Sequence, residues 1–255
     1  KGEVAALHNY NWTATSGTIE NYWKNNSTLK EVDLDFSTLT RIGNWKEAFR
    51  GSGVTRANIN LGSLTTVGTQ YLISFFQECR SLTYFHLDIH SLASVTTNGA
   101  LNGCCNGCSS LVTCEVDFAP NAFFGNWSIS GFCNDCTSLV NAPDLSPITS
   151  TDSSGGVFMN FYSGCSSLSR VIAPSVADWT YDSTWGFRTW LNNVAATGIV
   201  VCDPNTINIP LNSTSGIPSG WTRVDSYYSV TLDATNGNTM DYATSDGRSG
   251  SVTAG

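Results

Sequence analysis

The chain is short of charge. Lys, Arg, Asp and Glu make up 13% of its 255 residues, against roughly a quarter in an ordinary soluble domain. Cations are the scarcer sign: twelve Lys and Arg against twenty Asp and Glu leave a formal net charge of −8, and the twelve are scattered without a run. Nucleic acid and anionic membranes both need a basic patch, so neither is expected as a partner. No apolar run approaches about 18 residues, so no membrane insertion is expected. The signatures of common catalytic centres are missing too: there is no GxSxG, HExxH, P-loop or GxGxxG ahead of a helix. The three histidines are His8, His86 and His90, and a surface pair such as His86 and His90 is more often plain surface than a metal site. The expectation is a protein without enzymatic activity, cofactor or bound metal.

What the chain has instead is a repeated phrase. It runs FFQECRSL around Cys79, GCCNGCSSL around Cys108, GFCNDCTSL around Cys136 and NFYSGCSSL around Cys165, with degenerate copies around Asn26, Ser52 and Asn193. From anchor to anchor the steps are 26, 27, 29, 28, 29 and 28 residues. A period in the twenties held over this many units is the mark of a solenoid. Seven residues before the anchor stand Ile19, Trp45, Leu72, Leu101, Ile129 and Phe158; three before it stand Trp23, Phe49, Phe76, Cys105, Cys133, Tyr162 and Trp190. Columns four apart lie on one face of a helical turn, so each repeat is predicted to carry a short helix with this stripe inward. After the anchor comes strict alternation. LTYFHLDI turns Leu82, Phe85, Leu87 and Ile89 in and Tyr84, His86 and Asp88 out; LKEVDLDF and LVTCEVDF follow the same rule.

These elements predict an α/β leucine-rich-repeat solenoid of about seven repeats of 26–29 residues, with a parallel sheet on one face and short helices on the other. The expected organisation is an N-terminal cap or partial repeat over 1–14, the solenoid over 15–200, and a C-terminal cap over 201–226. A β-hairpin over 227–255, signalled by Asn236-Gly237, would begin a following module or an assembly element. Asn141-Ala142-Pro143-Asp144 interrupts its strand.

Nine cysteines, with Cys105-x-x-Cys108 and Cys133-x-x-Cys136, invite a zinc reading. The repeat accounts for them. Cys79, Cys108, Cys136 and Cys165 are structural anchors, and Cys105 and Cys133 occupy a core column otherwise aromatic, so packed thiols are the default. Neighbouring coils also bring equivalent side chains close enough for a disulfide between Cys105 and Cys133, or between Cys104 and a neighbour.

The outward strand positions are the candidate site. Across coils they give three rows. The first is Glu31, Arg56, Tyr84, Thr113, Asn141 and Arg170; the second is Asp33, Asn58, His86 and Glu115; the third is Asp35, Asn60, Asp88 and Asp117. The rows are acidic with a few amide and aromatic groups, which suits a basic protein patch, a glycan or Ca²⁺. Exposed tryptophan would favour glycan stacking. The competing reading is a solvated sheet face.

The pattern aromatic-x-x-Cys-x-Ser-Leu-x-x-apolar-x-apolar, found at Phe76–Leu87, Cys105–Val116 and Tyr162–Ala173, resembles the BspA-like class of leucine-rich-repeat proteins, and similar repeats occur in gut bacteriophage and prophage proteins. The resemblance implies a module displayed at a cell surface or on a virion that binds a protein or glycan without chemistry. The alternative it leaves open is a structural virion component, with the repeats as host-binding or spacer module and residues 227–255 mediating homo-oligomer or virion assembly.

Overall fold

The computed structural model describes residues 6–8, 18–125, 127–152, 155–177, 179, 186–225, 239–243 and 249–253. Those residues build a parallel β-solenoid of about six turns. The principal ladder stacks β1 (Ala6–His8), β2 (Glu31–Asp35), β3 (Arg56–Asn60), β4 (Tyr84–Ile89) and β6 (Thr113–Phe118). A second ladder on another side joins β5 (Ser94–Val95), β7 (Ala122–Phe124) and β8 (Ile148–Thr151). Beyond these, β9 (Arg170–Ile172), β10 (Gly198–Cys202) and β11 (Trp221–Asp225) form a third.

The strands follow the alternation expected of them. Val32, Leu34, Phe85, Leu87, Ile89, Cys114, Val116 and Phe118 point into the core. The interruption at 141–144 is also real. At 141–144 the chain contributes only single bridges, Thr113 with Asn141 and Asp144 with Ile172, because Pro143 has no amide hydrogen to give a ladder. The parallel register runs on through β10 and β11, from Gly198 opposite Trp221 to Cys202 opposite Asp225, and so into the stretch 201–226 expected as a cap.

The predicted helices do not form. None of the described residues is helical. The apolar columns instead lie on a ribbon of consecutive tight turns. In the fourth coil the amides of Asn102, Cys104, Asn106 and Cys108 bond back three residues, to Gly99, Leu101, Gly103 and Cys105. The amides between them, on Leu101, Gly103, Cys105 and Gly107, reach forward to the carbonyls of Ser128, Ser130, Phe132 and Asn134 in the next coil. Half of the backbone donors therefore serve the turn and half the stack, whereas a helix would keep them all within its own segment. A helix is also prevented locally, because every fourth residue has a positive φ: Asn21 and Asn25, Gln70, Ser74 and Glu78, Gly99, Gly103 and Gly107, Asn160 and Gly164. The ribbon thus advances in four-residue steps. That period puts the columns seven and three before the anchor on one side, the same spacing a helix face would show.

Stacking explains the order of residues at these positive-φ sites. One row reads Asn25, Gly51, Glu78, Gly107, Asp135, Gly164, Asn193, alternating a side chain with glycine. Each side chain lies over the glycine of the next coil. A Cβ on Gly51 would sit 2.3 Å from Asn25 Oδ1, and one on Gly164 2.2 Å from Asp135 Oδ1.

Inside, one continuous core runs the length of the solenoid. Trp23, Phe49 and Phe76 stack coil on coil, with centroids 5.0 and 4.7 Å apart. Cys105 and Cys133 replace rings in that column, and Phe132 and Phe161, stacked at 5.6 Å, carry the aromatic core past the gap. The seven helix-bearing repeats expected from the anchors are therefore corrected to about six β-coils with a turn ribbon. The described part of the C-terminal stretch is an antiparallel pair, β12 (Thr239–Ala243) with β13 (Ser249–Thr253); Asn236-Gly237 and most of 1–14 lie outside the described residues.

Candidate functional site: the acidic sheet face

Parallel pairing in strict register turns the outward side chains of β2, β3, β4 and β6 into rows. Glu31 faces Arg56, which faces Tyr84, which faces Thr113, and Asn141 extends the row through its bridge. Asp33, Asn58, His86 and Glu115 form the second row, and Asp35, Asn60, Asp88 and Asp117 the third. All three rows are those expected from the repeat alignment, with one exception. Arg170 opens the third ladder opposite Ile199, on the far side of the break at 141–144.

The side chains within the rows are tied to one another. Asn58 Nδ2 donates to Asp33 Oδ1 at 2.9 Å, Asn58 Oδ1 meets His86 Nδ1 at 2.7 Å, and His86 Nε2 meets Asp117 Oδ2 at 2.9 Å. One hydrogen-bonded string thus crosses four coils. Beside it, the Arg56 guanidinium lies 4.0 Å from the centroid of the Tyr84 ring, and the Tyr84 hydroxyl donates to Glu115 Oε2 at 2.6 Å. Partial burial, then the Glu115 carboxylate, push the Tyr84 hydroxyl above its ordinary value. Asn141 Nδ2 donates to Thr113 Oγ1 at 3.0 Å.

Much of the third row has a structural task. Asp35 accepts the amide of Ser37 at 2.9 Å, Asn60 that of Gly62 at 3.0 Å, and Asp88 that of His90 at 3.1 Å. These are Asx turns that end each strand. Hydrogen bonds from Ser37 hold the Asp35 carboxyl below its ordinary range. The three histidines gather at this face. His8 lies 3.5 Å from Glu31 and 3.8 Å from Asp33, and His90 Nδ1 lies 2.7 Å from Asp88. His8 was not singled out from the sequence, because β1 is three residues long and too short to show alternation.

The face therefore presents Glu31, Asp33, Asp35, Asp88, Glu115 and Asp117 with one strong cation among them, Arg56, itself held on a ring. Among the described residues no group of three His, Cys, Asp or Glu is placed to hold a metal ion, and no helix is long and apolar enough to cross a membrane. Of the described tryptophans, Trp45, Trp179, Trp190 and Trp221 are buried, and Trp23 and Trp127 are half-buried; Trp12 and Trp185 lie outside the described residues. No family model matches the chain, and comparison with curated proteins and with solved structures finds no match either.

Proposed function

We propose that this protein is a non-enzymatic binding module, displayed outside a cell or on a virion, whose β2–β6 sheet face receives a basic segment of a partner protein. The observation that carries it is the ordered acidic face itself. Its six carboxylates sit on strands locked in register, so their spacing is set before any partner arrives, and the entropy of arranging them is already met by the fold. Opposite charge then steers the encounter and selects the partner.

A protein partner is favoured over a glycan by the aromatic groups. Sugar rings are held by stacking on open aromatic faces. Tyr84 is the aromatic side chain in the rows, and its ring is occupied by Arg56 while its hydroxyl is committed to Glu115. No described tryptophan is exposed. Display outside the cell rests on the resemblance to BspA-like repeats and on the low-charge composition rich in small polar residues.

The test is to probe the immobilised protein with an array of Lys/Arg-rich peptides and, in parallel, with a glycan array. Retention of a subset of basic peptides is expected. Affinity for them should fall steeply with salt and drop at least about tenfold in an Asp33→Lys, Glu115→Lys, Asp117→Lys variant. A charge reversal on the turn ribbon, Asp135→Lys, should leave it unchanged. Binding of glycans alone, or peptide binding indifferent to the sheet-face variant, would overturn the reading.

A further inference from the structure

The nine cysteines are all buried free thiols, but they are not equivalent. The four anchors each direct their hydrogen to a backbone oxygen of the preceding coil: Cys79 to Phe49, Cys108 to Phe76, Cys136 to Cys105 and Cys165 to Cys133, at 3.0 to 3.2 Å. Cys202 leans on the carbonyl of Val200. Cys133 has a different partner. Its sulfur lies 3.7 Å from that of Cys114, which Cys105 also approaches.

The two come from opposite walls of the core. Cys114 is on the inward side of β6, in register with Phe85 of β4. Cys133 stands in the turn ribbon of the following coil, in the column that elsewhere holds Phe49, Phe76, Tyr162 and Trp190. A ring at 133 would fill the space in which the two sulfurs meet; the cysteine opens it. The repeat alignment sets Cys133 beside Cys105, its neighbour in the column, yet the sulfur is directed across the core to Cys114.

We propose that Cys114 and Cys133 form a single specific disulfide when the chain folds in the presence of a small-molecule disulfide oxidant, stapling the principal sheet to the ribbon of the next coil. Closing the bond needs the sulfurs to approach by roughly 1.6 Å, to about 2.05 Å. The exchange has two steps. One cysteine thiolate attacks a sulfur of the oxidant, forming a mixed disulfide and expelling one small thiolate. The second cysteine thiolate attacks the protein sulfur of that mixed disulfide, forming the Cys114–Cys133 bond and expelling the second small thiolate. The two protons lost by the cysteines end on the two released thiols, and the two electrons reduce the oxidant. Burial pushes the Cys133 thiol well above its ordinary value, so the reaction belongs to folding, before the coil closes over the pair. In the closed coils the anchor thiols rest on backbone oxygens, so the native packing does not select a bond between them. This inference is independent of the proposed binding activity.

The test is to refold the full chain in a mixture of reduced and oxidised glutathione, alkylate it under denaturing conditions and map the peptides by mass. Before alkylation the expected product is about 2 Da lighter than the protein refolded in reductant. It should carry one crosslinked peptide pair containing Cys114 and Cys133, with the remaining seven cysteines alkylated. Its thermal midpoint should lie at least about 3 °C above that of the reduced form. Cys114→Ser should remove both the crosslink and the shift; should that variant fail to fold, the wild-type map decides alone. Alkylation of all nine cysteines after oxidative refolding, or a crosslink between any other pair, Cys105 with Cys114 or with Cys133 included, would overturn the proposal.

Discussion

The thiol of Cys136 donates to the carbonyl oxygen of Cys105 in the preceding coil at 3.2 Å, and the same oxygen also accepts the amide of Cys108 at 3.1 Å. The arrangement recurs at Phe49, Phe76 and Cys133, each of whose carbonyls accepts the amide of its own anchor and the thiol of the next. A bent ribbon turns these carbonyls toward the core, where a small, largely apolar side chain with a weak donor fits both the space and the oxygen. This accounts for cysteine in the anchor column. The one serine there, Ser52, is buried as well, but its hydroxyl lies 3.4 Å from the sulfur of Cys79 and not on a carbonyl.

The anchor column should therefore discriminate by chemistry and not only by size. Cys136→Ser keeps a donor of similar shape and should cost about 1 kcal/mol. Cys136→Leu is more apolar but lacks the donor and exceeds the volume, and should cost about 1–3 kcal/mol. Urea unfolding of the two variants measures this. Leucine tolerated better than serine would show that the column asks only for apolar filling.

The alternation of side chain and glycine along the ribbon gives a paired prediction. Gly164, at φ 80°, would place a Cβ against Asp135 Oδ1. Gly164→Ala should therefore destabilise by about 1–3 kcal/mol, from the left-handed backbone and the clash together. Asp135 itself has φ 57°, so Asp135→Gly relieves local strain and clears the space. In the double variant the cost of Gly164→Ala should fall by at least about half, as a double-mutant cycle in denaturant reads directly. Strict additivity would separate the two positions and contradict the stacking.

Acid should weaken the first coils through Glu47. Its carboxyl is held below the ordinary value chiefly by the hydrogen bond from Lys24, against the opposing effect of burial, with Arg50 assisting. A carboxyl lowered by folding contributes stability above its unfolded value, and that contribution is lost as pH falls through the folded value. Glu47→Gln should thus cost about 1 kcal/mol at pH 7, a figure kept small because the Lys24 partner is partly exposed. The difference from wild type should shrink as pH falls below the ordinary glutamate value of about 4.3. Thermal unfolding between pH 7 and pH 3 measures it; a difference that does not change with pH would mean the side chain acts by packing alone.

The rows of the candidate site were legible in the sequence because strand alternation has a period of two and the repeat fixes the register. Knowing that Asp33, Asn58 and His86 each lie six or seven residues past an anchor was enough to align them. The ribbon was misread for a physical reason: turns with a four-residue step and a helix with 3.6 residues per turn produce the same apolar spacing over two steps. The distinguishing signal was present on the other face, in Gly99, Gly103 and Gly107 and in Asn160 and Gly164. Glycine and asparagine spaced by four mark a recurring left-handed residue that a helix would not want. The placement of Cys114 against Cys133 was not legible, because it depends on how far the ribbon stands from the sheet.

The central claim, that the acidic sheet face is the surface that receives a partner, is tested most directly by carboxyl footprinting of the protein with and without a basic peptide retained on the array. With peptide bound, Glu31, Asp33, Glu115 and Asp117 are expected to be labelled several-fold more slowly, while Glu20, Glu78 and Asp135, outside the rows, keep their rates. Protection of the ribbon carboxylates, with those of the sheet rows unchanged, would contradict the account.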